Sequence, residues 1–461
     1  MAIIVREKSF YKTLLMLSIP IVMQNLITFG IGFADNLMVG TLREYAISGV
    51  YMGNQIQTIL QMFIMGITGA MQVLSVQYWG KRKTNSIKII TAIAFRFTLI
   101  VTVFLWLAVM LFPAKVLSLF TTDNLVIVEG MKFLKYVCFS YVFFGISQLL
   151  VAAMRSVLTV RVGLYVSILT LVTDVFLNWI LIFGHFGMPA LGVEGTGIAT
   201  LISRIIECGV MVIYVVAVDK KLHLRFKDML LRDSVLLRDY VKYGFPVIAG
   251  QIVWAINNIV RSAIIGRLSA ETIAAMSITG TLNNFVSIFA FGLSSAVGII
   301  TGKTVGAGEF EKMKLYAKTI QIIFLVIGLL SGLFIYFLRD PFLMLYNIND
   351  ETLAVGRKFM IVLAITMIGT CYQGTCLGGL VKSGGDTSFV FINDTIFVFL
   401  TVIPSGLIAM YFFHASAWVI FACLKSDEIT KCFVAVIKIN RFYWMKNLTR
   451  QRDPQLEAIS D

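Results

Sequence analysis

The chain has 461 residues, of which 58% belong to the hydrophobic set and only 14% are charged, against about 45–50% apolar and about 25% charged in an ordinary soluble protein. One anchor of about 20 apolar residues cannot lift the mean hydropathy of the whole chain to +0.86, so a soluble enzyme is excluded and most of the chain belongs in lipid. The formal charge of +14 does not indicate nucleic acid, because the basic residues fall in short clusters between apolar runs rather than on one domain.

The amino terminus, MAIIVREKSFYK, sets charge ahead of a long apolar run with no small-residue cleavage site, and reads as the start of a retained span. Apolar stretches between charged or Gly/Pro-rich breaks then predict an all-α integral membrane protein with twelve transmembrane helices in two pseudo-symmetric six-helix bundles. The first six run over 13-40, 46-78, 88-111, 132-156, 160-184 and 194-218. The second six run over 243-266, 273-301, 315-338, 358-381, 388-412 and 416-437, the last being interrupted by Asp427, Glu428 and Lys431. The predicted organisation is an N-terminal bundle over 1-218, a linker over 219-242, a C-terminal bundle over 243-437 and a tail over 438-461. With the amino terminus inside, the loops assigned to the cytoplasm carry 26 Lys and Arg residues and the opposite loops 8. By the positive-inside rule both termini are cytoplasmic in a multi-pass protein of the cell membrane.

Polar residues inside the spans are the candidates for function. On the first span Asp35 lies five residues before Gly40, hence roughly 8 Å below the end of its helix at 1.5 Å per residue. An isolated carboxylate there costs about 2.5–3.5 kcal/mol on insertion scales, which suits a group that faces a polar cavity or changes protonation. Desolvation favours the neutral acid and a nearby cation favours the carboxylate, so a binding cation can displace a proton. On the second span Tyr51, Asn54, Thr58 and Gln61 recur at helical spacing, a stripe suited to a cavity wall or a helix interface. Asp174 and Asn178 share a face of the fifth span, either as a site or as hydrogen-bonding glue between helices. Thr196 and Thr200 open the sixth at similar depth, where they complete a pocket or bond to their own helix. Arg204 and Glu207, three apart, neutralise each other. The seventh span holds Asn257, Asn258 and Arg261 and no carboxylate; the eighth carries Thr279, Asn283 and Ser287 at i, i+4 and i+8. Arg261 has a local structural role or pairs across the cleft with Asp35, and Asp427, Glu428 and Lys431 are expected to neutralise one another or to sit near the membrane interface.

A shift of 226 positions aligns Pro20 with Pro246, Gly40 with Gly266, Gly66 with Gly292, Gly80 with Gly306 and Lys88 with Lys314, and a shift of 228 aligns Pro113 with Pro341. Each half holds six spans and starts inside, so the repeats run parallel, and two such bundles rocking about a cleft are the physical basis of alternating access. The six cysteines have no CxxC spacing, and His185, His223 and His414 stand far apart at segment ends, which supports neither a disulfide framework nor a metal site. No filter-like loop or acidic ring suggests a channel. No nucleophile with a base suggests an enzyme.

These features resemble the multidrug and toxic compound extrusion (MATE) family. The first span, SIPIVMQNLITFGIGFADNLMVG, is similar to the family's opening pattern of a proline, a Gln-Asn pair and an Asp before a Val-Gly exit. The stretch LVTDVFLNWILIFGHFGMPALGVEGTGIATLISR is similar to its other strong signature, and with the repeat and the LKSDEITK and MKNLTR segments the likeness covers nearly the whole chain. The resemblance implies a monomeric secondary antiporter that exports small organic cations or amphipathic drugs on a proton or sodium gradient. It implies a cation-coupling site at Asp35, Asp174, Asn178, Thr196 and Thr200, and no cofactor beyond the coupling ion. The implied substrate cavity comprises Gln24, Asn25, Tyr51, Asn54, Thr58, Gln61, Asn257, Asn258, Arg261, Thr279 and Asn283. In the family the fifth span usually reads Asn, three residues, then Asp or Asn; here Asp174 precedes Asn178, which moves the carboxylate one turn deeper. A sodium-coupled branch places a Glu on the seventh span, and its absence here favours H+ over Na+. The competing transport reading is a flippase for a lipid-linked precursor, which would need a cationic cavity; the spans supply few cations beyond Arg204 and Arg261.

Overall fold

Backbone groups in lipid must be paired within their own segment, so the apolar runs form long helices. A computed structural model describes residues 4–346 and 348–450; the last eleven residues of the predicted tail and the first three of the chain lie outside the described residues. The first half comprises α1 (Lys8–Val39), α2 (Glu44–Gly80), α3 (Thr84–Leu111), the short α4 (Pro113–Ser118), α5 (Asn124–Val137), α6 (Ser140–Ser156), α7 (Arg161–Phe183) and α8 (Val193–Ile213). The second comprises α9 (Ser234–Ile265), α10 (Ala270–Gly306), α11 (Phe310–Leu343), α12 (Asp350–Gln373), α13 (Thr387–Phe397), α14 (Ile403–Tyr411), α15 (Ala417–Leu424) and α16 (Asp427–Asn440). Wider π-helical turns extend α8 and α12 and join α13 to α14.

Among the described residues ten helices are long and apolar enough to cross a bilayer, and α5 with α6, bent by 55° at a short break, make an eleventh. The fourth predicted span is therefore a bent pair, and neither proline nor glycine marks its break at Cys138 and Phe139. The last predicted span is divided as well: α15 and α16 meet at Lys425 and Ser426, where the apolar run gives way to charge.

The repeat is visible in the helix boundaries. α1 and α9 each have 32 residues and α2 and α10 each have 37, with starts and ends offset by the same 226 positions. Pro113 and Pro341 act differently, since α3 ends before Pro113 whereas Pro341 lies inside α11. Across the halves α1 packs on α10, and α2 on both α9 and α10. A Cβ on Gly66 would meet Ile248 Cα at 3.0 Å, and one on Gly292 would meet Val22 Cγ2 at 2.5 Å; Val22 and Ile248 are themselves repeat-related. A Cβ on Gly80 would run into the Lys303 carbonyl, and one on Gly306 into that of Gln77. The repeated glycines thus let the halves meet backbone to backbone, and they close the molecule on the side of the linker.

Residues 441-450 lie across that closure. Trp444 is fully buried and donates to the Ile439 carbonyl at 3.0 Å. Asn447 donates to the carbonyls of Val305 and Gly306 in the second half, and the Leu448 amide donates to Gln77 Oε1 in the first at 2.8 Å. Arg450 makes a bidentate pair with Asp239 at 2.6 and 2.7 Å. Lys438 and Lys446 both pair with Asp386 at 2.8 Å. Burial alone would raise the Asp386 carboxyl, but the bonds from the two lysines hold it below the usual carboxylate range.

Candidate functional site

The apolar faces of α1, α7 and α8 pack together in the first half and carry their few polar groups to one point. Asp35 lies four residues before the end of α1; Asp174 and Asn178 share a face of α7; Thr196, Thr200 and Arg204 follow at i, i+4 and i+8 along α8. The Asn178 amide donates to Asp35 Oδ1 at 2.9 Å and to Asp174 Oδ2 at 3.0 Å, so one nitrogen bridges the two carboxyl groups. Asp174 is 2% exposed and Asn178 is fully buried. Asn178 Oδ1 has no partner and is available to a protonated carboxyl or a small cation. Asp35, Asp174, Thr196, Thr200 and Arg204, with Asn54, Gln57 and Thr170, line a cavity of about 30 Å³. A water needs about 10–15 Å³ on this measure, so the space suits one or two waters or a dehydrated ion. It is far below the roughly 300 Å³ a drug-sized molecule requires.

Arg204 forms the inner wall. It pairs with Glu207 at 2.6 Å, its guanidinium lies 4.9 Å from the Phe144 ring centroid, and Gln148 donates to the other Glu207 oxygen at 3.4 Å. The cluster therefore holds the carboxyl groups of Asp35, Asp174 and Glu207 against the single cation of Arg204. Burying uncompensated charge is costly, so this arrangement calls for protons or another cation.

The second half has its own buried charge, divided differently. Lys431 on α16 pairs with Asp394 of α13 at 2.9 Å and with Asp427 at 3.2 Å. Arg261 of α9 faces Asp427 at 3.9 Å, Lys425 faces Glu428 at 3.8 Å, and Gln373 donates to Glu428 at 2.9 Å. Arg261, Lys425 and Lys431 balance Asp394, Asp427 and Glu428. Arg261 takes the local structural role here, with Asp427 rather than Asp35 as its partner.

The structure brings together all five candidate coupling residues and disperses much of the candidate cavity. Gln24 is 5% exposed and accepts from Arg155 at 2.6 Å, so it ties α1 to α6. Thr279 is 1% exposed with its hydroxyl on the Ala275 carbonyl, and Ser287 is buried too. Asn257 is buried with its carbonyl oxygen unpartnered; Asn25 and Asn283 are half-buried, and half-buried Asn258 bonds to the Trp254 carbonyl. Tyr51, Thr58 and Gln61 lie on an open face of α2, whereas Asn54 turns toward the Asp35 cavity. On α10 the open polar positions include Ser277, Thr281 and Asn284, of which Ser277 and Asn284 are the repeat partners of Tyr51 and Thr58. Applying the 226 shift to the α2 stripe would have found Ser277 and Asn284. Gln57, Thr170 and Arg204 were absent from the predicted site, although each sits one turn from a chosen residue on its helix: Asn54, Asp174 and Thr200. Among the described residues no group of three or more His, Cys, Asp or Glu forms a metal site, and all six cysteines are free thiols.

A family model described as MatE matches residues 20–180 and 246–425. A probable multidrug resistance protein NorM of Thermotoga maritima is 21% identical over 96% of this chain and 96% of its own length. The multidrug resistance protein MdtK of Photorhabdus laumondii is 23% identical over 86% of this chain and 87% of its own. The crystal structure of the Vibrio cholerae MATE transporter VcmN in the bent form superposes with a TM-score of 0.84 at 15% identity, covering 94% of this chain and 97% of that one.

Proposed function

The chain belongs to the MATE family of multi-pass membrane transporters, and from that premise we propose that it is a proton-coupled antiporter exporting small organic cations or amphipathic drugs. The observation that carries the reading is the bridging of Asp35 and Asp174 by one Asn178 nitrogen in a cavity too small for a substrate. In this reading the cavity is the ion site and the open face of α2 with Tyr51, Thr58 and Gln61 meets the substrate. Three carboxyl groups facing one guanidinium take up a proton from one side of the membrane, and a cationic substrate in the cleft favours its release. Rocking of the halves about the glycine contacts exposes the site alternately. Separation of Gly80 from Gly306 would open the side bearing the linker, which the distribution of basic residues makes cytoplasmic, together with both termini. The bundles are residues 1-218 and 243-437, joined by the 219-242 linker, with a tail from 438; a monomer contains the whole site. An acidic pocket also suits export of cations better than handling of a pyrophosphate-bearing lipid precursor.

The test is efflux of a fluorescent cation from proteoliposomes under an imposed pH gradient in sodium-free buffer, and separately under a sodium gradient at equal pH. Transport is expected in the first and not in the second. Robust efflux on sodium alone would reassign the coupling ion, and failure on both gradients would remove the antiport reading.

A further inference from the structure

The linker that joins the halves contains a short exposed foot, residues 225-232, reading RFKDMLLR. Its inward side is fixed: Leu222 and Leu224 are each 1% exposed, and Met229 and Leu231 pack on the first-half core. The Arg96 guanidinium donates to the Met229 carbonyl at 3.2 Å and to the Leu231 carbonyl at 2.6 Å, while Lys88 pairs with Asp228 at 3.1 Å. These three contacts set the depth of the foot along α3. Counting back from Leu111, about 20 helical residues cross a hydrocarbon core of about 30 Å, which puts its other boundary near Ala92. Lys88 lies one turn outside that level and Arg96 one turn inside, with a side chain long enough to reach back to it. Residues 228-231 therefore stand at the boundary between acyl chains and headgroups.

At that level Phe226 is 69% exposed and Leu230 is 78% exposed, both pointing away from the protein. Arg225, Lys227 and Arg232 are exposed around them, and among the described residues no ion pair engages the three. The acidic neighbour Asp228 is occupied by Lys88 and the Arg225 amide, and Asp233 caps α9. Apolar side chains at the boundary ringed by unpaired cations have the chemistry of an interfacial anchor for anionic lipid.

We propose that residues 225-232 form a binding foot for anionic phospholipid headgroups in the leaflet on the linker side, with Phe226 and Leu230 inserted between acyl chains and Arg225, Lys227 and Arg232 on the phosphates. The foot holds the linker at a fixed depth while the two halves move on either side of it. This inference does not depend on the transported substrate or the coupling ion.

The experiment titrates the purified full-length protein in detergent with phosphatidylglycerol or phosphatidylcholine of matched chains and counts bound lipid by native mass spectrometry. Each exposed cation at an anionic surface is worth roughly a five-fold preference, so the wild type should favour phosphatidylglycerol by at least about ten-fold and R225Q/K227Q/R232Q by no more than about two-fold. K227Q alone, at an exposed position with no partner to lose, should lower the preference by roughly five-fold. F226S/L230S should weaken both lipids together. Equal binding of the two lipids by the wild type, an undiminished preference in the triple and single variants, or displacement of phosphatidylglycerol by equimolar glycerol 3-phosphate would overturn the proposal.

Discussion

The two halves of the molecule share the lengths of their first two helices and a set of contact glycines, yet they treat buried charge in opposite ways. In the first half Asp35, Asp174 and Glu207 surround Arg204, with a water-sized cavity at the centre. In the second, Arg261, Lys425 and Lys431 balance Asp394, Asp427 and Glu428. A cluster with excess carboxyl groups has room for a proton or another cation, whereas a balanced one holds helices in place. Pseudo-symmetry of the backbone therefore does not imply symmetry of function. The residue at the position of Asp35 in the second half is Arg261, and the cluster around it is closed by partners on α13 and α16.

The sharpest way to break this contrast is to neutralise one carboxyl in each half. Asp35→Asn keeps the shape and removes a titratable group, and should lower proton-driven efflux by at least about ten-fold, equivalent to about 1.4 kcal/mol. Asp427→Asn should leave the efflux of folded protein within about three-fold while reducing stability. Equal losses in proteoliposome assays would erase the distinction between the halves. Lys431→Met then tests the balanced cluster through stability: removing one partner of a buried pair costs about 3–5 kcal/mol, so a clear fall in the thermal midpoint is expected. Asp394→Asn added to Lys431→Met should recover part of it, because the stranded carboxylate is gone.

How much of this contrast the sequence carries depends on how local the information is. Asp35, Asp174, Asn178, Thr196 and Thr200 are legible because helical spacing and depth along a span are properties of one helix at a time. The local pair of Lys431 with Asp427 is legible in the same way; Asp394 as its second partner and Asp427 as the partner of Arg261 are not, since α9, α13 and α16 meet only once the second bundle has closed. Gln24 is a related case: its amide is visible as a costly polar group in lipid, but Arg155, which satisfies it, is 131 residues away. The repeat could be read from glycine and proline, whose backbone roles survive where apolar side chains drift. It could not reveal that α3 stops before Pro113 while α11 continues through Pro341, or that the fourth span bends at Cys138 and Phe139.

A smaller effect is expected at the strap that crosses both halves. Arg450→Ala removes the bidentate pair with Asp239; because the arginine is about half exposed and solvent screens the pair, only a small fall in the thermal midpoint is expected. A cysteine placed at the closed side should become more reactive to a membrane-impermeant thiol reagent, and unchanged reactivity would remove the strap from closure. The smallest effect belongs to Asp386. Its native carboxyl is held low by Lys438 and Lys446, so its contribution is complete above the ordinary Asp value of about 3.9 and is lost as the pH falls through the lowered native value. Asp386→Asn should flatten that acid limb of the thermal-stability profile, and an identical limb would show that the two lysine contacts do not stabilise the fold.

The most direct measurement counts protons. Calorimetric titration of the detergent-solubilised protein with a lipophilic cation, repeated in buffers of different ionisation enthalpy, gives the number released on binding. Release of about one proton per bound cation is expected of the wild type and of Asp427→Asn, and little or none of Asp35→Asn, because in the proposed mechanism the cation displaces a proton held by the first-half carboxyl groups. Binding of the cation by the wild type with no proton release, or an undiminished release from Asp35→Asn, would contradict the assignment of the coupling site to Asp35, Asp174 and Asn178.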